Sequence, residues 1–141
     1  MKIEELDADG TELAYDAMRQ LRPHLTSAGF VRLVNEVQRP QGYRLVGSSD
    51  ALSGKVVAAA GFRVQHTLAH GLVLAVDDLS TVPSARGQGH GSRLLAWLER
   101  EARYQHCVQI HLDAGTHRYE AHRLALRNGF MVKSFRLTRQ L

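Results

Sequence analysis

The chain has 141 residues, 44% hydrophobic and 23% charged, a size and composition that suit one domain, 1–141, able to bury a core without staples. Eighteen Lys and Arg against fourteen Asp and Glu give a net charge of +4, but the positive charges are scattered and match no zinc-finger or RNA-binding pattern, which speaks against a nucleic-acid partner. No long uncharged apolar run could cross a membrane, the first residues are acidic where a leader would be basic, and the one cysteine, Cys107, allows no internal disulfide, so a cytoplasmic setting is expected.

In chain order, residues 1–6 read as an opening strand. Leu13, Ala14, Ala17, Met18 and Leu21 recur at helical spacing and predict a helix over 10–21, ended by Pro23. Thr26 or Ser27 can cap a second helix whose apolar stripe is Phe30, Leu33, Val34 and Val37; Pro40, Gln41 and Gly42 punctuate its end. Three strands follow, over 43–47, 56–64 and 72–79, the last two joined by a hairpin through 65–71.

A glycine-rich segment, Arg86-Gly87-Gln88-Gly89-His90-Gly91, then opens a helix with Leu94, Leu95, Leu98 and Ala102 on one stripe. Val108, Ile110 and Leu112 mark another strand, residues 118–127 another helix stopped by Asn128-Gly129, and residues 130–137 a last strand. Strands and helices interleaved in this order define a mixed α/β chain.

The glycine segment carries the clearest chemistry. Glycines leave backbone amides bare and permit conformations that other residues avoid, and the helix that follows adds its positive end, so the segment can hold an anion such as a pyrophosphate. It is no Walker loop, because no Gly-Lys-Ser/Thr follows. Asp77 and Asp78 end the preceding strand, and strand alternation sends them to opposite faces, with Asp77 on the face of Leu79 and Thr81. A carboxylate in a cleft there can serve as a general base, Asp77 ahead of Asp78. His111 and Asp113 share a face of the next strand and could relay a proton. The eight histidines lack the spacing of a metal site, so none is assigned.

On Arg86, Gly89 and Gly91, with Pro83 before them and Gly129-Phe130 after, the chain resembles the GNAT superfamily of N-acetyltransferases. The run Leu112-Asp113-Ala114-Gly115, followed by Arg118 and Ala121-His122-Arg123, is similar to one bacterial branch of it. The resemblance implies a central, mostly antiparallel twisted sheet flanked by helices, with a splayed strand pair holding acyl-CoA. It also implies acetyl transfer from acetyl-CoA directly to a primary amine of an unidentified acceptor, small molecule or protein, with no acyl-enzyme. On this resemblance Leu79, Ser80 and Thr81 contact the pantetheine and thioester, and Arg86, Gly87, Gln88, Gly89, His90, Gly91 and Ser92 hold the pyrophosphate. Arg118 stands where the family often has Asn, and Ala125 where it often has the Tyr that protonates the thiolate. That second departure leaves a non-catalytic acyl-CoA-binding or regulatory module as the alternative. The last strand could pair with another chain, so a homodimer is among the assemblies the sequence allows.

Overall fold

The structure, a computed structural model, describes residues 1–141. The opening strand forms as β1 (Lys2–Leu6). Asp7 then caps the next segment, its Oδ1 accepting from the N–H groups of Asp9 and Gly10 at 3.0 Å each. The helix expected over 10–21 is instead a 3-10 stretch, Ala8–Ala14, followed by a short α1 (Tyr15–Leu21). A polar hub accounts for the difference. Buried Thr11 donates to Asn35 Oδ1 at 2.7 Å, and Arg39 reaches the carbonyls of Leu6 and Asp7 at 2.9 Å each. Local bonds of this kind favour a tight turn over a regular helix, and they leave Leu13 exposed rather than on an apolar stripe.

Thr26, not Ser27, caps α2 (Ser27–Arg32), its hydroxyl accepting from the Gly29 N–H at 3.0 Å. The helix widens into a π turn, Leu33–Gln38, and ends where Gly42 takes φ 91°. Phe30 and Val34 are buried, whereas Leu33 and Val37 face solvent.

The sheet runs β1-β2-β3-β4-β5, with β2 (Arg44–Ser49), β3 (Val56–Thr67), β4 (Gly71–Thr81) and β5 (Gln109–Leu112). The first four strands pair antiparallel. β5 pairs parallel to β4, because the chain crosses over through α3 (His90–Tyr104). Helices cover both faces. On one, Leu94, Leu95, Leu98 and Ala102 of α3 pack on Phe62, Leu74 and Val76; on the other, Ala17, Met18, Phe30 and Val34 pack on Leu45, Ala59 and Tyr43. This is the mixed α/β sheet with flanking helices that the sequence implies. No helix is long and apolar enough to cross a membrane.

Two irregularities shape the site. The β4–β5 ladder covers only Val73–Val76 against Gln109–Leu112, so residues 77–81 of β4 have no strand beside them on that edge. On the other edge Gly61 pairs with Asp78 and Phe62 with Val76, which leaves Asp77 as the extra residue of a β-bulge. Gly61 is a requirement of that arrangement, because a Cβ there would sit 1.6 Å from the hydroxyl oxygen of buried Tyr43.

α4 (Tyr119–Arg127) stops at Asn128-Gly129 as the sequence indicates, with Gly129 at φ 87°. The last strand expected over 130–137 does not form. Phe130 packs against the α3-side core, but residues 131–141 make no backbone hydrogen bond.

Gly61→Ala should therefore displace the Tyr43 ring and overpack the α1-side core. Urea unfolding should show a loss of about 1–3 kcal/mol, the usual cost of overpacking a well-filled site; an unchanged midpoint would show that the ring can move freely.

Candidate functional site

The glycine segment bridges β4 and α3. A short 3-10 turn, Pro83–Ala85, leads into it, and Gly87 and Gly89 take φ 76° and 91°. Only glycine occupies that region without strain, and a Cβ at either position would meet nothing within 4 Å. Both backbones thus border open space at the N-terminal end of a fifteen-residue helix, where the first N–H groups lack intrahelical partners. Gly91 is bare for another reason: its Cβ would lie 2.7 Å from Leu124 Cδ2, so it admits α4 against α3.

The side chains of this segment divide. Arg86 donates through Nε to the Thr81 carbonyl at 3.3 Å, and Gln88 donates to the Ser84 carbonyl at 3.2 Å; both remain exposed. Ser92 Oγ accepts from Asn128 at 3.2 Å. His90 turns inward, 2% exposed, with Nδ1 2.7 Å from Ser48 Oγ and Nε2 without a partner. Its side chain is therefore not offered to the loop's open side. Nearby, burial and the guanidiniums of Arg22 and Arg86 push the Arg118 pKa down, which marks a local excess of positive charge. Open space, bare amides and this positive charge together fit a phosphate-bearing ligand.

The second half of the site is a cleft of about 360 Å³ on the α1 side of the sheet, lined by both Asp77 and Asp78. The expectation that these carboxylates face opposite ways fails at the bulge. The extra residue reverses the alternation, so Asp77 and Asp78 share a face, while Leu79 packs toward α3 and Ser80 is buried. Asp77 therefore does not share a face with Leu79.

Each carboxylate in the cleft has a guanidinium partner. Arg63 Nε donates to Asp77 Oδ2 at 3.0 Å and also meets the Gln38 side chain. Arg22 donates twice to Asp78 Oδ1, at 3.1 and 2.8 Å, and the Tyr43 hydroxyl donates to Asp78 Oδ2 at 3.0 Å. Arg136 pairs with Asp113 at the rim. Burial pushes the Asp77 carboxyl up from its ordinary value, against the lowering effect of Arg63 and with a further push from Asp78. Burial, with Asp78 beside it, also raises the Tyr43 phenol, which keeps its proton for that hydrogen bond.

The structure thus brings together Asp77, Asp78 and the backbone of Leu79, Ser80 and Thr81 at the open end of β4, next to the glycine segment. His111 is not part of the cleft; its Nε2 lies 2.8 Å from Gln109 Oε1 and its ring stacks edge-on against His70. Sequence reasoning missed Arg22, Tyr43, Arg63 and Arg136. Gly61, a lone glycine inside a strand, was the available signal for the bulge that assembles them.

The model of the acetyltransferase (GNAT) family matches residues 10–130. An aminoalkylphosphonate N-acetyltransferase of Salmonella typhimurium is 37% identical over 90 residues, covering 63% of this chain and 58% of the relative's length. Among solved structures, the aminoglycoside N-acetyltransferase AAC(6')-Iy in complex with CoA superposes with a TM-score of 0.85 at 15% identity, over 99% of this chain and 93% of the other. Glucosamine-6-phosphate N-acetyltransferase from Arabidopsis thaliana gives 0.76 at 17% identity, over 99% and 97%. At those identities the two structures speak for the fold alone. The chain belongs to the acetyltransferase (GNAT) family, enzymes that take their acyl group from acetyl-CoA.

His90 should make stability sensitive to acid. Burial lowers its pKa below the ordinary 6.5, so between the two values the unfolded chain binds more protons than the folded one. Stability should fall as pH drops through about 6.5 and level off below the folded pKa. His90→Gln should flatten that part of the curve in urea titrations from pH 7 to 5; an equal slope in both proteins would assign the acid sensitivity elsewhere.

Proposed function

We propose that this chain is an N-acetyltransferase that moves the acetyl group of acetyl-CoA to the primary amine of a small acceptor that also carries an anionic group. The observation that carries this reading is the cleft at the end of β4, where the carboxylates of Asp77, Asp78 and Asp113 face the guanidiniums of Arg22, Arg63 and Arg136. A lining of balanced charge suits a zwitterion, whose ammonium exchanges with a guanidinium on a carboxylate and whose anion exchanges the other way. An aminoalkylphosphonate, the acceptor class of the Salmonella relative, has that charge pattern. An acyl donor made inside the cell fits a cytoplasmic setting.

The chemistry divides among the residues in place. Backbone groups of Leu79, Ser80 and Thr81, free of a β5 partner, line the arm of the donor and polarise its thioester carbonyl. The amides around Gly87, Gly89 and Gly91, with Arg86 and Ser92, hold the pyrophosphate. Asp77 takes the proton of the incoming ammonium. Burial raises its pKa above the ordinary carboxylate value, which makes it a better base than an exposed Asp. Asp78, held by Arg22 and Tyr43, orients the amine. Ala125 offers no acid for the departing thiolate, but a thiol with a pKa of about 8.5 leaves without one.

Two experiments test this. Release of free CoA thiol should be much faster with an ω-aminoalkylphosphonate than with the plain alkylamine of equal length; no release with any amine would remove the enzymatic reading and leave an acyl-CoA-binding module. With a working acceptor, the acid limb of kcat/KM should lie above the ordinary Asp value. Arg63→Leu should push it higher still, because a lowering charge is lost. Asp77→Asn should abolish it and cut kcat by about 10²–10⁴-fold. An unmoved limb in both variants would exclude Asp77 as the base.

Binding of the donor is read separately by calorimetry. Gly89→Val places a β-branched side chain at φ 91° and in the open space before the loop, and acetyl-CoA affinity should collapse. Arg86→Ala should lose roughly 10- to 150-fold, the equivalent of about 1.5–3 kcal/mol for one charge-assisted contact. Wild-type affinity in two folded variants would make the loop an ordinary turn.

A further inference from the structure

Four arginines are partly withdrawn from water: Arg39, Arg44, Arg63 and Arg118. Three of them have partners. Arg39 donates to Asn35, Thr11 and two backbone carbonyls, Arg44 pairs with Glu5 and Glu101, and Arg63 pairs with Asp77. The Arg118 guanidinium makes no hydrogen bond and no ion pair, and the charges that press on it, those of Arg22 and Arg86, are both positive. A half-buried charge in such company is unfavourable until something else completes it. Its backbone is fixed all the same. The Gly115 carbonyl accepts from the Arg118 N–H at 2.9 Å and from His122 Nε2 at 2.8 Å, which holds the turn between β5 and α4. That turn spans the site: it starts at Asp113 on the rim of the charged cleft and ends at Arg118, in the field of Arg22 from the cleft and of Arg86 from the glycine segment.

We propose that Arg118, with Arg22 beside it, takes the anionic group of the acceptor and so decides which amines are acetylated, a phosphonate-bearing amine being preferred to one with an uncharged tail. This rests on the acetyl transfer to a zwitterionic acceptor proposed above and names the residue that reads the anion. Arg22, Arg63 and Arg136 are already bound to carboxylates, so an anion that turns to them must displace one. Arg118 requires no such exchange. Its planar fork offers two parallel N–H groups to two oxygens of one phosphonate. An acceptor with a short spacer and its ammonium at Asp77 and Asp78 keeps its anion near Arg22, the side chain that holds Asp78, and Arg118 then supplies the second cation. The donor's pyrophosphate has the amides of the glycine segment and Arg86 for itself, so the two ligands do not compete for Arg118.

Arg118→Gln should lose roughly 10- to 150-fold in kcat/KM for an ω-aminoalkylphosphonate, mostly through KM, the usual size of one charge-assisted contact. The plain alkylamine of equal length should lose far less, and calorimetry should give an unchanged acetyl-CoA affinity. Equal losses on both acceptors would make Arg118 a structural residue, a weakened acetyl-CoA complex would assign it to the donor, and no loss on either acceptor would leave it without a role; each of these overturns the proposal. If the wild type acetylates no amine, the acetyl-transfer reading falls by itself, and calorimetry with ethylphosphonate decides the anion site. Binding that Arg118→Gln removes supports it; equal binding in both proteins, or none in the wild type, overturns it. Should the variant fail to fold, nitrogen-resolved NMR spectra of the wild type decide. The Arg118 Nε–H signal should shift as ethylphosphonate is titrated in, and a signal that stays in place overturns the proposal.

Discussion

The site rests on a glycine that cannot be anything else. Gly61 lets the Tyr43 ring lie against β3, and from there the phenol hydroxyl reaches Asp78 at 3.0 Å. At the same point β4 takes up one extra residue, Asp77, and the alternation of its side chains reverses. A regular ladder would have put one of the two carboxylates into the core beneath α3, where a charge without a partner is very costly. The bulge puts both on the α1 side, each within reach of a guanidinium.

The rest of the site follows from where β4 goes next. Released from β5 after Val76, it carries bare backbone toward the turn at Pro83 and into the glycine segment. One continuous stretch of chain, 77–92, therefore supplies carboxylates, free strand edge, positive-φ glycines and helix end in sequence. The opposite wall comes from distant segments: Arg22 after α1, Tyr43 before β2 and Arg63 on β3. The glycine segment and the charged cleft are thus built by different means, one local and one by long-range packing.

That division decides what the sequence alone could disclose. The glycine segment was legible because positive φ at Gly87 and Gly89 is a local demand met by residue type, and α3 because four apolar residues recur at its period. Asp77 and Asp78 were legible as candidates but not in their orientation, since a bulge is a property of two strands and only the lone Gly61 hinted at it. Arg22 and Tyr43 lie 56 and 35 residues from the carboxylate they share, and no local pattern encodes such a meeting. The helix expected over 10–21 was lost to Thr11, Asn35 and Arg39, a polar cluster that outweighs periodicity. The last strand expected over 130–137 does not form, because an apolar pattern alone supplies no ladder partner and residues 131–141 make no backbone hydrogen bond.

One detail of the glycine segment bears on how quickly and how selectively it can work. His90, driven inward to Ser48, nails the first turn of α3 to the end of β2 beneath the loop. The loop's amides are consequently held in direction by the body of the sheet rather than by whatever arrives. On the proposed reading, an anion entering this loop would cost the host little conformational freedom and would be chosen by fit. Guests of the wrong shape would then find a surface slow to adjust to them.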